Sequence, residues 1–503
     1  MKNPVRTSAL ALLGSLLLAP AAGAIPPHPD KLTYPKFTYQ PPTAKDYRTV
    51  LKSGPVAYVA EDRELPLVSL TVTFRGGTYL DPAGKEGLAD LAGTLLARGG
   101  TKSKTAEQLE ERLAFLAAQL NSSYSSDRGT VSMSLLAKDL DEGLAILREV
   151  LTEPRFQDDK LTLRKGQLLS DMKSRNDDTA DIETRERGFL AFGEGYYLNR
   201  YATKASLDAI TRDDLVAFHR KWVDPKNVVV AASGDFGKGV TRAQMIAKLD
   251  ALFARWPYKG EAAPSVPRPA HAMAPGLYLV DKDVNQGRVS VMLPALQRDD
   301  PDYDAALVLN DILGGGGFTS RITNRVRSDE GLAYSAGSTL PAGVWFPGTF
   351  RAFFQSKART CAYATEIVLE EMRKVRDADV TDEELQTAKS SFVDTLSRRF
   401  SSKAQTMGVF LDEEFTGRFA KEPEYFRGYA ARIEKVTKAD VRRVAQRLLA
   451  TDRVAVLAVG KKEDLLNPDP KHPVKFPELT AGRTTDVPLR DPLTMQPMPA
   501  GTK

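Results

Sequence analysis

The chain is poor in the residues that bind zinc or form disulfides. Among its 503 residues it has one cysteine, Cys361, and four histidines. A single cysteine excludes an intrachain disulfide, and we expect Cys361 to be a small buried apolar residue. The histidines His28, His219, His271 and His472 are far apart in sequence, and none forms a pair at i, i+4 on a helix. We therefore do not expect a zinc site built mainly from histidines.

The chain also lacks a strong charge bias and an internal membrane-spanning run. Its formal net charge is +5, with acidic and basic residues interspersed. No basic stripe carries interleaved aromatic residues, so nucleic acid is not an expected partner. Beyond the N-terminus, no apolar run approaches the roughly 20 residues that a membrane helix needs. Hydrophobic residues make up 42% of the chain, which is typical of a soluble protein with packed cores.

The first residues have the pattern of a secretory signal. The stretch MKNPVRTSALALLGSLLLAPAAGA begins with Lys2 and Arg6, continues as an apolar run and ends in small residues at Ala24. This pattern predicts a signal peptide over residues 1–24 that is cleaved after Ala24. No cysteine follows the apolar run, so a lipoprotein anchor is excluded. We expect a secreted protein, in the bacterial periplasm.

Two segments of the chain follow one plan. DAITRDDLVAFHRKWVDPKNVVVAASGDF and EKVTKADVRRVAQRLLATDRVAVLAVGKK each have a threonine N-cap, an amphipathic helix, a short turn and an apolar strand that ends in glycine. Thr211 and Thr437 are 226 positions apart, and so are Gly234 and Gly460. A constant offset between several elements indicates a duplication, and hence two homologous halves.

Within each half, strands precede helices. Apolar and polar residues alternate from Val68 to Phe74, which predicts a half-buried strand, and helices are predicted at 104–120 and 161–174. We expect an α+β fold in which each half is a mostly antiparallel sheet with helices packed on one face. A proline-rich stretch is interpreted as a linker between the halves. The predicted divisions are a signal peptide at 1–24, an N-terminal domain at 25–255, the linker at 256–276, a C-terminal domain at 277–475, and a tail at 476–503 that is loose or lies on a partner.

One predicted helix, in GLADLAGTLLARGG, has the outline of a metal-binding helix without its ligands. Its apolar face is made of Leu88, Leu91, Ala92, Leu95 and Leu96, and Gly99 supplies a stop. The opposite stripe is Asp90, Gly93 and Thr94. Residues at i and i+4 lie on one face of a helix, which is where a metallopeptidase places two ligands. Glycine inside a helix lowers the stability of the helix by roughly 1 kcal/mol relative to alanine. We therefore interpret Gly93 as a residue kept because it leaves room, and not for helix stability.

The surrounding segment, FRGGTYLDPAGKEGLADLAGTLLARGGT, resembles the first half of the pitrilysin/insulinase family, the inverzincins. The zinc motif of that family is His-x-x-Glu-His. The resemblance places Asp90 at the first histidine, Gly93 at the base glutamate, Thr94 at the second histidine and Asp171, in LLSDMKSRNDD, at the third ligand. It implies that the scaffold is kept and that this chain holds no zinc. Weak binding of a hard cation by Asp90 and Asp171 stays open.

A second motif of the same family is present. LGGGGFTSRITNRVRSDEGLAYSAGS resembles the family's C-terminal signature, in which an arginine and a tyrosine seven residues apart position the substrate and stabilise the oxyanion; Arg327 and Tyr334 match this spacing. A guanidinium and a phenol hydroxyl both donate hydrogen bonds to developing negative charge. The alternative to a functional pair is a structural role, with Arg327 as a solvated helix residue and Tyr334 as an aromatic residue of the core. The run Gly314–Gly317 lacks the lysine of a phosphate loop, and we interpret it as a flexible helix exit that touches substrate backbone.

The resemblance extends over about residues 45 to 465 and carries functional expectations with it. Members of the family build a clam-shell chamber from two such two-domain units, and in paired members one chain carries the zinc while the other carries the arginine and tyrosine. We therefore predict a chain that is not an enzyme on its own. It would be the non-catalytic subunit of a secreted zinc metallopeptidase heterodimer, with the zinc in a homologous sister chain and short or unfolded peptides as substrates.

Two other classes of function stay open. One is a peptide-binding homodimer that does not cleave. The other is a structural subunit, like the core proteins of respiratory complexes that share this fold; the signal peptide and the intact Arg327/Tyr334 signature count against it.

Overall fold

The computed structural model describes residues 28, 32, 38–480 and 483–499. The predicted signal peptide, residues 1–24, lies outside these residues. From Pro41 onward the chain forms one unit that contains two six-stranded sheets. Within the described ranges, no helix is both long enough and apolar enough to cross a membrane.

The first sheet has the spatial order β1-β2-β6-β3-β5-β4. Its strands are β1 (Arg48–Val50), β2 (Val56–Glu61), β3 (Leu67–Arg75), β4 (Gln119–Tyr124), β5 (Arg128–Leu136) and β6 (Val228–Gly234). Strands β2 and β6 pair in parallel, and the other neighbours pair antiparallel. The alternation predicted along β3 holds, since Val68, Leu70, Val72 and Phe74 are all buried. Strand β4 lies at the outer edge.

The second sheet repeats this arrangement in the order β12-β7-β11-β8-β10-β9. Its strands are β7 (Gly276–Asp281), β8 (Gln286–Pro294), β9 (Ala333–Thr339), β10 (Thr349–Lys357), β11 (Ala455–Gly460) and β12 (Thr484–Asp486). Strand β7 pairs in parallel with β11 and β12, and the remaining pairs are antiparallel. Strand β9 therefore occupies the edge that β4 occupies in the first sheet. The matching orders support the predicted duplication.

Helices connect the strands in both halves. The first half contains α1 (Leu88–Arg98), α2 (Ala106–Phe115), α3 (Leu140–Thr152), α4 (Asp158–Lys173), α5 (Thr179–Phe192), α6 (Lys204–Ala209), α7 (Arg212–Trp222) and α8 (Arg242–Phe253). The second half contains α9 (Tyr303–Asn310), α10 (Arg321–Thr323), α11 (Cys361–Asp377), α12 (Asp382–Thr395), α13 (Lys403–Phe415), α14 (Arg418–Lys421), α15 (Tyr425–Lys435), α16 (Lys438–Leu448), α17 (Lys462–Leu466) and α18 (Phe476–Leu479). The predicted α+β class with two homologous halves is confirmed.

The helix predicted at 104–120 is shorter than expected. Helix α2 ends at Phe115, and Ala117 adopts a left-handed φ of 48° that turns the chain into β4. The apolar periodicity continues across this turn because Leu120 is buried on the strand instead. The helix predicted at 161–174 is α4, which begins three residues earlier at Asp158.

Each half lends one helix to the other half's sheet. Helix α5 packs on the second sheet, where Ile182 lies in one cluster with Met292 and Leu457. Helix α13 packs on the first sheet, where Phe410 lies in one cluster with Tyr58. Helices of the same half cover one face of each sheet, as predicted. Part of the other face is covered by the exchanged helix, which is α13 on the first sheet and α5 on the second. The exchange holds the two halves together through buried apolar surface.

Residues 256–275 form no helix or strand and run along the first half before β7 begins. Two tyrosines of the first half donate hydrogen bonds to this segment, Tyr79 to the carbonyl of Pro264 at 2.9 Å and Tyr196 to that of Pro267 at 2.7 Å. The stretch interpreted as a linker is therefore fixed against the first half.

Residues 483–499, which we call the C-terminal strap, pack on both halves. Strand β12 pairs with β7 of the second sheet. Further along, the Arg490 carbonyl accepts a hydrogen bond from Asn176 at 2.8 Å, and Leu493 packs on the core of the first half. The Arg490 side chain, which is buried, binds Glu194 and lies 3.5 Å from Glu186. The segment expected to be loose or to lie on a partner is instead held by the chain itself.

Replacing Arg490 with alanine is expected to destabilise the fold. Glu186 is only 2% exposed, and losing Arg490 leaves its carboxylate with Arg185 alone, at 2.9 Å. We expect a loss of about 2 kcal/mol in the free energy of unfolding, less than the 3–5 kcal/mol for a broken buried pair because Arg185 remains. Urea unfolding measures it. Lys462→Ala, which removes the exposed pair with Asp486, is the control and should cost less than about 1 kcal/mol. Equal losses would contradict the role given to Arg490.

Candidate functional site

The helix with the degenerate motif forms as predicted, and a buried aspartate holds its first turn. Both carboxylate oxygens of Asp81 accept hydrogen bonds, from the backbone N–H of Gly87 at 3.0 Å and from that of Ala89 at 2.8 Å. The N-cap residue Gly87, in the left-handed region with φ of 101°, has no side chain that could cap the helix. Asp81 therefore satisfies two of the free N–H groups at the start of α1.

Asp90 is held by an arginine rather than left open for a metal. Its side chain is 43% exposed, and Arg164 of α4 donates from Nη2 to its Oδ2 at 3.3 Å. A guanidinium at this distance competes with any cation for the carboxylate. The structure therefore weakens the alternative in which Asp90 helps to bind a hard cation.

Gly93 has no room for a side chain because strand β4 passes directly over it. A Cβ atom at this position would lie 2.5 Å from the backbone nitrogen of Tyr124 and 2.9 Å from the carbonyl carbon of Ser123. The hydroxyl of Ser122 donates to the Gly93 carbonyl at 2.5 Å. The position where the family's motif has its general base is thus filled by the backbone of the edge strand.

The structure brings together only two of the four degenerate positions. Asp90 and Asp171 line one pocket of about 320 Å³, together with Arg175 and Arg200. Thr94 instead lines a neighbouring cleft of about 680 Å³. Across the described residues, no cluster of three or more histidine, cysteine, aspartate or glutamate side chains could hold a metal. Two aspartates beside arginines do not fit zinc, which prefers histidine and cysteine ligands.

Asp81 should make stability depend on pH. Burial raises its pKa to about 6, despite its two amide hydrogen bonds and Arg200, so the folded chain holds this proton more tightly than the unfolded chain does. The resulting stabilisation, about 3 kcal/mol at most, is present below about pH 4 and is lost as the pH rises through 6. Asp81→Asn should flatten the unfolding free energy over this range, as measured by urea titrations at several pH values. The control is Asp171→Asn, which changes an exposed aspartate of the same pocket and should keep the pH profile of the unmodified chain. If the slope is unchanged in Asp81→Asn, Asp81 is not the source of the pH dependence.

The second motif forms an exposed stack of three side chains. Arg327 lies in a π-helical segment, Asn324–Asp329, and Tyr334 lies on β9. The Arg327 guanidinium carbon is 4.8 Å from the centre of the Tyr334 ring and 4.5 Å from that of the Phe318 ring. Tyr334 is 85% exposed, which excludes the alternative of a core aromatic. Sequence reasoning did not identify Phe318; a large apolar residue directly after four glycines was the signal available.

Backbone and side-chain contacts fix this stack at the edge of the second sheet. Gly314 approaches β9 so closely that a Cβ there would lie 2.4 Å from the backbone nitrogen of Ser338. Arg321 binds both carboxylate oxygens of Glu384, at 2.7 and 2.8 Å. Thr323 donates to the carbonyl of Ala336 on β9 at 2.9 Å. At least one residue of the glycine run is thus required for packing, beyond the flexible exit that we expected.

The stack can donate hydrogen bonds to a molecule outside the chain. Both Arg327 and Tyr334 carry donors; Tyr334 is exposed, and Arg327 is partly exposed beside it. Cation–π contacts of this kind contribute about 0.5–1 kcal/mol at exposed sites, which is enough to favour one orientation of the guanidinium. The described residues thus combine two duplicated sheets, a helix without a fitting set of metal ligands, and an arginine–tyrosine pair at the surface.

Comparisons with known proteins agree with this class. Residues 57–188 match the model described as insulinase (peptidase family M16), and residues 209–392 match the peptidase M16 inactive domain. The chain belongs to peptidase family M16, the pitrilysin/insulinase family. The match to the inactive-domain model and the similarity to a non-peptidase homolog support an inactive member of the family.

The relatives of this chain include a protein named as a zinc protease and a protein named as a non-peptidase homolog. An uncharacterized zinc protease of Streptomyces coelicolor is 25% identical over 73% of this chain and 79% of its own length. The non-peptidase homolog YmxG of Helicobacter pylori is 27% identical over 67% of this chain and 76% of its own length. A crystal structure of a peptidase M16 inactive domain from Pseudomonas fluorescens has a TM-score of 0.74 and 23% identity, covering 84% of this chain and 99% of that one, which supports the fold.

Proposed function

We propose that this chain is the non-catalytic subunit of a secreted zinc metallopeptidase heterodimer. The stack of Phe318, Arg327 and Tyr334 carries the proposal, since it places a half-buried arginine beside an exposed tyrosine in a chain whose described residues include no fitting metal site. A homologous sister chain would supply the zinc, its ligands and the general base. This chain would supply one wall of the chamber and the two donors.

The chemistry of the donors fits peptide hydrolysis. Attack on a peptide carbonyl develops negative charge on its oxygen, and donors already in place stabilise that charge in the transition state. Arg327 would bind the planar amide and Tyr334 would donate its hydroxyl hydrogen to the oxyanion. Zinc in the sister chain would polarise the same carbonyl and activate water. Short or unfolded peptides are the proposed substrates, because a closed chamber excludes folded proteins.

The proposed location is the bacterial periplasm. It rests on the N-terminal sequence, with its basic start, apolar run and small residues before Ala24. Cleavage there would leave a mature chain with the two proposed domains, 25–255 and 277–475, joined by the segment 256–276. Sequencing the N-terminus of the protein isolated from its source tests this; a chain that still begins at Met1 would contradict it.

Reconstitution tests the division of labour. The chain should contain no stoichiometric zinc and cleave no peptide alone, whereas mixing it with the nearest zinc-motif homologue of the same genome should raise cleavage above that of the homologue alone. Zinc is measured by metal analysis and cleavage with fluorogenic peptides, with and without chelator. Stoichiometric zinc or chelator-sensitive cleavage by this chain alone would overturn the proposal.

A peptide-binding homodimer is the second candidate, and one cleft favours it. The cleft of about 680 Å³ beside the edge strand β4 has apolar lining that includes the exposed side chain of Leu163. A strand edge with apolar side chains beside it can bind an extended peptide without cleaving it. The same mixing experiment separates the candidates, because this one predicts peptide binding and no gain in cleavage with any sister chain.

A further inference from the structure

A cavity of about 460 Å³ lies among the helices of the second half, beside the exchanged helix α13. Its volume is in the range of about 300–1,000 Å³ that is usual for small-molecule sites. Aromatic side chains form much of the lining, among them Tyr303, Phe392, Tyr425 and Tyr429. It is separate from the stack and from the pocket that contains Asp90, and neither proposed function uses it.

Arginines supply the polar part of the lining. Arg298, Arg399 and Arg418 all line the cavity. The Arg298 side chain is only 9% exposed, and its Nε has no hydrogen-bond partner among the described residues. The carboxylate of Asp299 lies 3.9 Å from this Nε and is itself bound by Lys421. A buried donor without a partner costs about 1–3 kcal/mol, so the chain itself leaves this guanidinium under-satisfied.

The acidic residues of the lining neutralise these arginines only in part. Asp412 is bound by Arg128 of the first half at 2.6 Å. Glu413 is 7% exposed, lies 3.4 Å from Arg418, and has a buried Oε2 without a partner among the described residues. Burial raises the pKa of Glu413 to about 7, so its negative charge is incomplete at neutral pH. The cavity therefore has more positive charge than negative charge available to it.

We propose that this cavity binds a small carboxylate carried on an aromatic or apolar body. The planar guanidinium of Arg298 can bind a carboxylate with paired hydrogen bonds, and Arg418 lies beside it with its guanidinium 4.0 Å from the centre of the Tyr425 ring. The aromatic lining would take the apolar body by ring contacts. A molecule with both parts uses the unpartnered donor and the aromatic surface together.

Three probes that differ in one feature each test the proposal on the full mature chain. Isothermal titration calorimetry should show saturable one-to-one binding of 3-phenylpropionate. It should show at least tenfold weaker binding of 2-phenylethylamine, which has the same ring and the opposite charge, and of inorganic phosphate, which has charge and no ring. No saturable binding of 3-phenylpropionate would mean that water alone fills the cavity. Equal binding of the amine, or of phosphate, would overturn the assigned ligand class.

Two substitutions should act in opposite directions. Arg298→Gln should weaken binding of 3-phenylpropionate at least tenfold, because it removes a guanidinium of the lining whose only hydrogen bond among the described residues is from Nη2 to the Thr416 carbonyl, at 3.4 Å. Glu413→Gln should preserve or tighten binding, because it removes a carboxylate that competes with the ligand for Arg418. Arg359→Gln, at a surface arginine that donates to the carbonyl of Asn467, is the matched control and should change nothing. Equal weakening by Glu413→Gln would show a merely structural effect and overturn the proposal; should Arg298→Gln fail to fold, Glu413→Gln and the probe series decide.

Discussion

Substituting Arg327 by alanine and Tyr334 by phenylalanine together is expected to lower kcat/KM of the reconstituted heterodimer at least about a hundredfold, since loss of one oxyanion donor typically costs 100- to 1,000-fold. Neither side chain is fully buried, and the ring contacts recorded for them among the described residues are those of the stack, so the chain should fold and assemble as before. The loss should fall on kcat, because these donors act on charge that develops in the transition state. Steady-state kinetics on peptides, with assembly checked by size-exclusion chromatography, measures it.

A matched pair of substitutions controls for general damage. Arg359→Ala with Tyr278→Phe removes the same two chemical groups away from the stack, since Arg359 binds carbonyls of a surface turn and Tyr278 donates to the carbonyl of Ala274 at 3.0 Å. This variant should keep the full rate. If the Arg327 and Tyr334 variant assembles and also cleaves at full rate, the role assigned to the pair is wrong.

Phe318→Leu separates positioning from chemistry at the same stack. Phe318 donates no hydrogen bond, so its loss should leave the oxyanion donors present and cost only the contact that orients Arg327, 4.5 Å from its ring. A drop of about fivefold, corresponding to about 1 kcal/mol of cation–π contact, is expected. The rate should therefore lie well above that of the variant without Arg327 and Tyr334.

The duplicated fold could be predicted because its signals are local. Threonine N-caps, alternating strands and glycine stops lie within short windows, and the constant offset from Thr211 to Thr437 shows that the windows repeat. The exchange of α5 and α13 could not be predicted in this way. Periodicity shows that a helix has an apolar face, but it does not show which sheet covers that face.

The site shows the same division between local and long-range information. Arg327 and Tyr334 were predicted from the resemblance of one contiguous motif to the family's signature, and the structure places them in contact. Phe318 was missed because its contact depends on how the glycine run turns. The C-terminal strap was misjudged because its composition resembles that of a loose tail, whereas Arg490 is fixed by carboxylates almost 300 positions away.

The emptied helix also raises the question of whether the zinc site could be restored by replacing the lost ligands. Asp90→His and Thr94→His are expected to be tolerated, because both side chains are only partly buried on one stripe of α1. Gly93→Glu is not expected to be tolerated. Strand β4 is fixed by its pairing with β5, in which Tyr124 is opposite Gly129, so its backbone cannot easily move away from a new side chain.

We expect Gly93→Glu to lower the free energy of unfolding by at least about 3 kcal/mol, the upper range for overpacking, because its Cβ would lie 2.5 Å from the nitrogen of Tyr124 and its carboxylate would be buried. Gly93→Ala isolates the clash, since alanine would otherwise stabilise a helix by about 1 kcal/mol. Urea unfolding of both variants, beside the double variant of Asp90 and Thr94 that keeps the glycine, measures the effect. Stabilisation by Gly93→Ala would show that β4 can yield. Its destabilisation would mean that the chain has lost the space for a general base as well as the residue, so that three substitutions in α1 alone would not recreate the family's catalytic helix.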